Sequence, residues 1–227
     1  MPRTLDPAAH ALRRDAFIDV AQRLIQEEGY DQMSVQDVLN ELNASKGAFY
    51  HYFGSKEALL AAVVDRMVDA GTAVMARVAD DPTLTATQKL NATFATLAEW
   101  KGQQRELMAE FTRLWFSDAN TIVREQLRQG TVRDLTPLLA RIIRQGKAEG
   151  VITATSPEHT AGVLVAILLG ANEKASRLFV ARQAGEVSFE EVARTLAAYA
   201  EAYERVLGLP PGSWPLSDGQ VLHDWFD

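Results

Sequence analysis

The chain has 227 residues, 47% of them apolar and 23% charged, which suffices for the packed core of one large or two small domains. No apolar run is long enough to span a bilayer, and Met1-Pro2-Arg3-Thr4 lacks the apolar stretch of a signal peptide, so a cytoplasmic protein without a membrane partner is expected. The absence of cysteine excludes disulfides and thiolate metal sites, and a net charge of −7 argues against a uniformly basic surface.

Residues 1–10 read as a flexible arm. Phe17, Val20, Ala21 and Leu24 then follow the i, i+3, i+4, i+7 pattern of an amphipathic helix, which Gly29 ends. Ser34-Val35-Gln36-Asp37 opens a second helix with a capping box, weakened because Asp stands where Glu or Gln usually reaches back. Met33 and Val38 sit at the spacing of a hydrophobic staple, and Val35, Val38, Leu39 and Leu42 form the apolar stripe. Only Asn43-Ala44 leaves room for a turn, and Asn tolerates the left-handed conformation that a sharp turn needs.

A short helix follows over Ser45-Lys46-Gly47-Ala48-Phe49-Tyr50-His51-Tyr52-Phe53. Phe49 and Phe53 share one face, while Gly47, Ala48 and His51 project from the other with Tyr50 and Tyr52 on the flanks. That distribution is odd for a core element and suits a recognition helix. Small residues let the backbone approach a duplex, and Tyr and His offer hydrogen bonds without long charged stems. Helix, short helix, tight turn, short helix is the order of a helix-turn-helix reader of double-stranded DNA. Ser34, Gln36, Ser45, Lys46, Gly47, Ala48, Tyr50, His51, Tyr52 and Lys56 are its candidate contacts.

Ser55 caps a long helix over residues 55–79, carrying Leu59, Val63, Met67, Val74 and Val78, and Asp80-Asp81-Pro82 stops it. Helical patterns return near 85–101, 104–117 and 119–149, the last kinked or divided near Pro137. After the extended link Val151-Ile152-Thr153, Ser156-Pro157-Glu158 opens a helix to about 182. Ser188-x-x-Glu191 is a full capping box for the last long helix, to about 207. Nothing reads as a strand, so an all-α fold of nine or ten helices is expected. The tail from Leu209 mixes Pro210-Pro211 and Trp214-Pro215 with Trp225 and Phe226, and its aromatics are expected to fold back on the body or a partner subunit.

Catalysis is not indicated. The four His stand at 10, 51, 159 and 223, without metal-ligand spacing, and no nucleophile elbow, phosphate loop or dinucleotide loop occurs, so no cofactor or metal is expected. Residues 1–56 hold six Lys/Arg against eight Asp/Glu. Attraction to a duplex therefore rests on local placement of Arg3, Arg13, Arg14, Lys46 and Lys56, helped by helix N-termini facing phosphates.

In Ser45-Lys46-Gly47-x-Phe49-Tyr50-His51-Tyr52-Phe53-x-Ser55-Lys56-Glu57-x-Leu59-Leu60, with Gly29-Tyr30 and Ser34-Val35-x-Asp37-Val38 upstream, the chain resembles the TetR family of one-component transcriptional regulators. The detailed resemblance covers about residues 11–62, and Asn43 departs from the Gly often found in that turn. It implies a three-helix DNA-binding domain over 1–54 and a helical ligand-binding and dimerisation domain over 55–208, with 55–79 as linker helix and 209–227 as tail.

By the same resemblance, the larger domain senses a small-molecule inducer in a cavity bounded by the linker helix and its successors. Phe94, Trp100, Met108, Phe111 and Trp115, with Asn172 and Glu173, are the candidate lining, although the aromatic spacing equally fits an ordinary core. Gly162, Ala166 and Gly170 recur every four residues as a ridge that permits close helix crossing. Leu196, Tyr199 and Tyr203 belong to an apolar stripe on the last long helix. Both fit packing within one subunit, and the resemblance implies a homodimer interface there. The expected function is a repressor released from a palindromic operator by its ligand. The rival is a helical ligand-binding or assembly protein lacking one of those activities.

Overall fold

The computed structural model describes residues 6–115, 121–213, 222, 223 and 226. Arg3, Trp214-Pro215 and Trp225 lie outside the described residues, and Trp115 outside the described side chains. Among the described residues the protein is all-α. Nine helices run in the order α1 (Pro7–Glu28), α2 (Val35–Glu41), α3 (Lys46–Tyr52), α4 (Lys56–Ala79), α5 (Ala86–Gln103), α6 (Arg105–Trp115), α7 (Thr121–Ala148), α8 (Pro157–Gln183) and α9 (Phe189–Leu207).

The chain forms two compact units, 1–68 with 104–127, and 69–103 with 128–227, so the division passes through α4 and α7. In the first unit α1 starts earlier than expected. Asp6 accepts a hydrogen bond from the Ala8 N–H at 3.0 Å and Pro7 takes the first helical position, where its missing N–H costs nothing, so residues 7–10 are helical rather than part of an arm. Phe17, Ile18, Ala21, Leu24 and Ile25 bury one face of α1. Val38 and Leu39 of α2, Phe49 and Phe53 around α3, and Leu59, Leu60 and Val63 of α4 are likewise excluded from water, and Phe17 meets both Phe49 and Phe53. On the surface of the same unit, Arg66 of α4 binds Asp19 and Gln22 of α1, and Arg23 of α1 joins Glu27 and Glu41.

Two caps reverse their sequence ranking. The box at Ser34 is complete: its hydroxyl accepts from the Asp37 N–H at 3.2 Å while the Asp37 carboxylate accepts from the Ser34 N–H at 2.8 Å. At Ser188 only the half in which the hydroxyl accepts from the Glu191 N–H is formed, and the Glu191 carboxylate faces Arg194 at 3.5 Å. Ser34→Ala is therefore expected to destabilise the first unit by about 1–2 kcal/mol in chemical denaturation. The Ser34 hydroxyl and then its backbone N–H hold the Asp37 carboxyl below its usual range. A carboxylate lowered on folding contributes stability that is present above its unfolded pKa and fades as pH falls through the folded one. The Ser34→Ala deficit should accordingly shrink on acidification through the carboxylate range, and a deficit that grows there would contradict the assigned cap.

The second unit buries Met75 of α4, Leu90 of α5, Leu138, Leu139, Ile142 and Ile143 of α7, Leu164 and Val165 of α8, and Tyr203 and Leu207 of α9 in one cluster. Pro137 does not divide α7, which runs through it as one helix. A mid-helix proline costs about 3 kcal/mol, and the buried residues on either side, Leu135, Leu138 and Leu139, supply enough packing to offset it. At the far end of the α8–α9 pair, Leu222 and Phe226 of the tail are buried with Leu178 and Val192. The His223 ring stacks on Phe189 at 3.9 Å. The expectation that the tail returns to the body holds for these residues.

Candidate nucleic-acid interface

The candidate interface is built outward from Phe49. Its ring is fully buried, in edge contact with Phe17 at 5.9 Å and tilted against Phe53 at 5.8 Å. That anchor fixes the rotation of a seven-residue helix too short to be stable alone. The turn before α3 uses Asn43 at φ 46°, with the Ala44 N–H returning to the Leu39 carbonyl at 2.9 Å. The Ser45 hydroxyl then accepts from the Ala48 N–H at 3.2 Å and starts the helix.

The opposite face is open. Ser45, Lys46, Gly47 and His51 are exposed, Ala48 is half-buried, and Tyr50 is 59% exposed while its ring edge rests on Phe49 at 5.3 Å. Ser34 and Gln36 are exposed on α2. Much of their bonding capacity is spent locally, Ser34 in its cap and Gln36 on the Asn40 side chain at 2.8 Å. Tyr52 is half-buried and leans on Phe17 at 5.7 Å and on His10 at 4.6 Å. His10, which sequence spacing treated as isolated, also meets His51 edge-on at 5.4 Å. No linear signal joins residues so far apart; the fold of α1 over α3 does.

Cations flank this face on aromatic supports. Arg13 lies 5.9 Å from the Phe17 ring, Arg14 5.3 Å from Phe53, and the Lys56 ammonium 4.1 Å from Tyr30. Burial, then the neighbouring Glu57 and Asp31, push the Tyr30 phenol up to about 12, so it stays protonated at physiological pH. The arrangement offers hydroxyls, an imidazole, helix N-terminal amides and a few cations at fixed positions, which suits contact with a polyanion.

The ligand-lining candidates divide between the compact units. Phe94 packs on the core of the second unit, 6.2 Å from the Tyr203 ring. Trp100 lies over Gly71, where an added Cβ would stand 3.4 Å from its ring. Asn172 and Glu173 are exposed on α8, and Glu173 binds Arg177 at 2.7 Å. Met108 and Phe111 are half-buried on α6 in the first unit.

Of the pairing candidates, Gly162, Ala166 and Gly170 lie along α8. Ala166 and Gly170, with Val163, Ile167, Ala198, Tyr199 and Ala202, line an open apolar groove of about 580 Å³ between α8 and α9. Leu196 is half-buried and packs toward the tail cluster. Tyr203 is corrected: it is fully buried and its hydroxyl donates to the Leu164 carbonyl at 3.1 Å, so it belongs to the core of its own chain rather than to an exposed pairing face. Among the described residues no group of three His, Cys, Asp or Glu could hold a metal ion, and no helix is long and apolar enough to cross a membrane.

Residues 17–63 match the family described as bacterial regulatory proteins, tetR family. The HTH-type transcriptional regulator YuxN of Bacillus subtilis is 45% identical over 53 residues, 23% of this chain and 18% of that protein, so the match spans under a fifth of that relative's length. The HTH-type transcriptional repressor DhaR of a Mycobacterium species is 24% identical over 158 residues, 70% of this chain and 79% of that protein. Among solved structures, RolR in complex with resorcinol superposes with a TM-score of 0.62 at 16% identity, covering 96% of this chain and 95% of that one. Residues 17–63 thus match the TetR family of bacterial regulatory proteins, and the fold of the chain matches that of RolR nearly end to end.

Proposed function

We propose that the protein is a homodimeric, sequence-specific DNA-binding transcriptional regulator, a repressor released from a palindromic operator by a small molecule. The observation that carries the reading is the two-sided α3: Phe49 and Phe53 hold one face in the core while Lys46, Gly47, Tyr50 and His51 stand in solvent. Each subunit inserts the helix around residues 45–52 into a major groove. The two-fold axis then sets half-sites about 34–36 Å apart, or a multiple of that. The open groove between α8 and α9 supports pairing with a second copy, because it is apolar and open among the described residues. The ligand function draws on the aromatic side chains of Phe94 and Trp100 in the second unit, and on the resorcinol complex of RolR. A ligand acts only through a preference for the released state. Moving the reader from 99:1 bound-competent to 1:99 takes about 5.5 kcal/mol of such preference.

Selection of genomic fragments retained by the protein, followed by titration at several salt concentrations, tests the reading. Arg13, Arg14, Lys46 and Lys56 from each subunit predict a log–log salt slope of about −7 for the dimer. Lys46→Ala should weaken binding to all fragments alike and flatten that slope by about 2. Tyr50→Ala should lower affinity for the selected sequence while the melting temperature stays near that of the wild type. A Tyr50→Ala protein that unfolds, with unchanged affinity in its folded fraction, would place Tyr50 in the core and overturn the interface.

A further inference from the structure

The first compact unit contains α6 as well as the DNA-reading helices, and one side chain joins them at an unusual place. Glu110 of α6 is buried, and its Oε1 accepts a hydrogen bond from the backbone N–H of Tyr30 at 3.0 Å. Tyr30 follows Gly29, the residue that ends α1 at φ 87°. The carboxyl group therefore satisfies a donor just beyond the end of α1, where the helix no longer does. Glycine suits the position because of its φ, which L residues seldom adopt, and a Cβ there would stand 3.1 Å from Glu110 Oε1, a tight approach. One turn away on both helices, Gln26 Nε2 reaches Glu106 Oε2 at 3.4 Å.

The connection continues toward the interface. Tyr30 is buried, and its ring carries the Lys56 ammonium at 4.1 Å. Lys56 is the first residue of α4 and follows the recognition helix by one short link. A shift of α6 withdraws the acceptor from the Tyr30 amide, frees the Gly29-Tyr30 corner, and removes the support that sets Lys56.

We propose that Glu110 is a positioning residue for DNA binding, tying the setting of Tyr30 and Lys56 to the position of α6. This rests on the DNA-reading function proposed above and names one residue through which the rest of the chain regulates it. Leaving a buried amide unpaired is costly, so the two ends of this contact move together or not at all.

The test uses full-length Glu110→Ala and Glu110→Gln, since Gln keeps an acceptor oxygen at the same reach. Hydrogen exchange at the Tyr30 amide should be at least fivefold faster in E110A and near wild type in E110Q. Affinity for a genomic fragment selected with the wild type should drop about tenfold in E110A and stay within twofold in E110Q. If E110A does not fold, Gln26→Cys with Glu106→Cys provides a second measurement. The natural chain has no cysteine, so a short bismaleimide bridges only these positions, and locking α6 to α1 should change fragment affinity at least fivefold. Faster exchange in E110A with unchanged affinity would reduce Glu110 to a helix cap, and a bridged protein that binds as the unbridged one does would overturn the coupling. A wild type that retains no fragment sinks the DNA-reading function and this proposal with it. Wild-type retention with an indifferent E110A sinks this proposal alone.

Discussion

Phe49→Ala should abolish DNA binding by loosening the reader rather than by removing a contact. The ring is fully buried, with Phe17, Phe53 and Tyr50 around it at 5.3–5.9 Å. Truncating a buried Phe typically costs about 3–5 kcal/mol, part lost transfer energy and part cavity. That is a large share of the stability a domain of this size possesses. The second compact unit buries a separate cluster around Leu139 and Tyr203, so the damage should stay local. Hydrogen exchange should show protection lost across α1–α3 and retained in α8 and α9. Phe49→Leu, which refills much of the space, should recover most of the loss. Protection of α1–α3 at wild-type level in Phe49→Ala would mean that Phe49 does not anchor the recognition helix.

The contrast between Phe49 and Tyr50 was legible in the sequence because a short helix with two Phe four apart has only one way to bury both. The turn at Asn43 was legible for a similar reason: two residues had to reverse the chain, and one of them tolerates positive φ. Other features needed the fold. Reach and competition, not residue preference, decide a capping box. Asp37 is close enough to complete one, whereas Glu191 faces Arg194 instead. The stripe on α9 was read as a single face, but Tyr203 turns into the core while Ala198, Tyr199 and Ala202 turn to the groove. A helix carrying apolar residues on more than one side has no single direction of burial that periodicity can assign. Glu110 gave no signal at all, since its partner is a backbone amide 80 residues away.

Ala166→Glu should dissociate the proposed dimer and remove most of the affinity for the proposed palindromic site. In the isolated subunit Ala166 is exposed on the wall of the α8–α9 groove, so the new carboxylate is solvated and the melting temperature of the monomer should barely change. Across a two-fold interface the same substitution introduces two unpaired charges into an apolar contact, each costing about 3–5 kcal/mol. Association should weaken by a factor of 100 or more. Gly170→Leu offers a graded comparison. A Cβ at Gly170 meets nothing within 4 Å among the described residues, so a loss of association, expected at about 1–3 kcal/mol, with little change in monomer stability points to overpacking against the partner. The consequence for DNA follows from effective concentration: two linked readers gain about 10²–10⁴ over one, and a monomer forfeits that gain. Sedimentation at micromolar protein and titration of the same fragment at nanomolar protein measure the two losses separately. If Ala166→Glu sediments as a dimer, the pairing surface lies elsewhere on the chain. If it sediments as a monomer yet binds the palindrome as tightly as the wild type, the reader does not work in pairs.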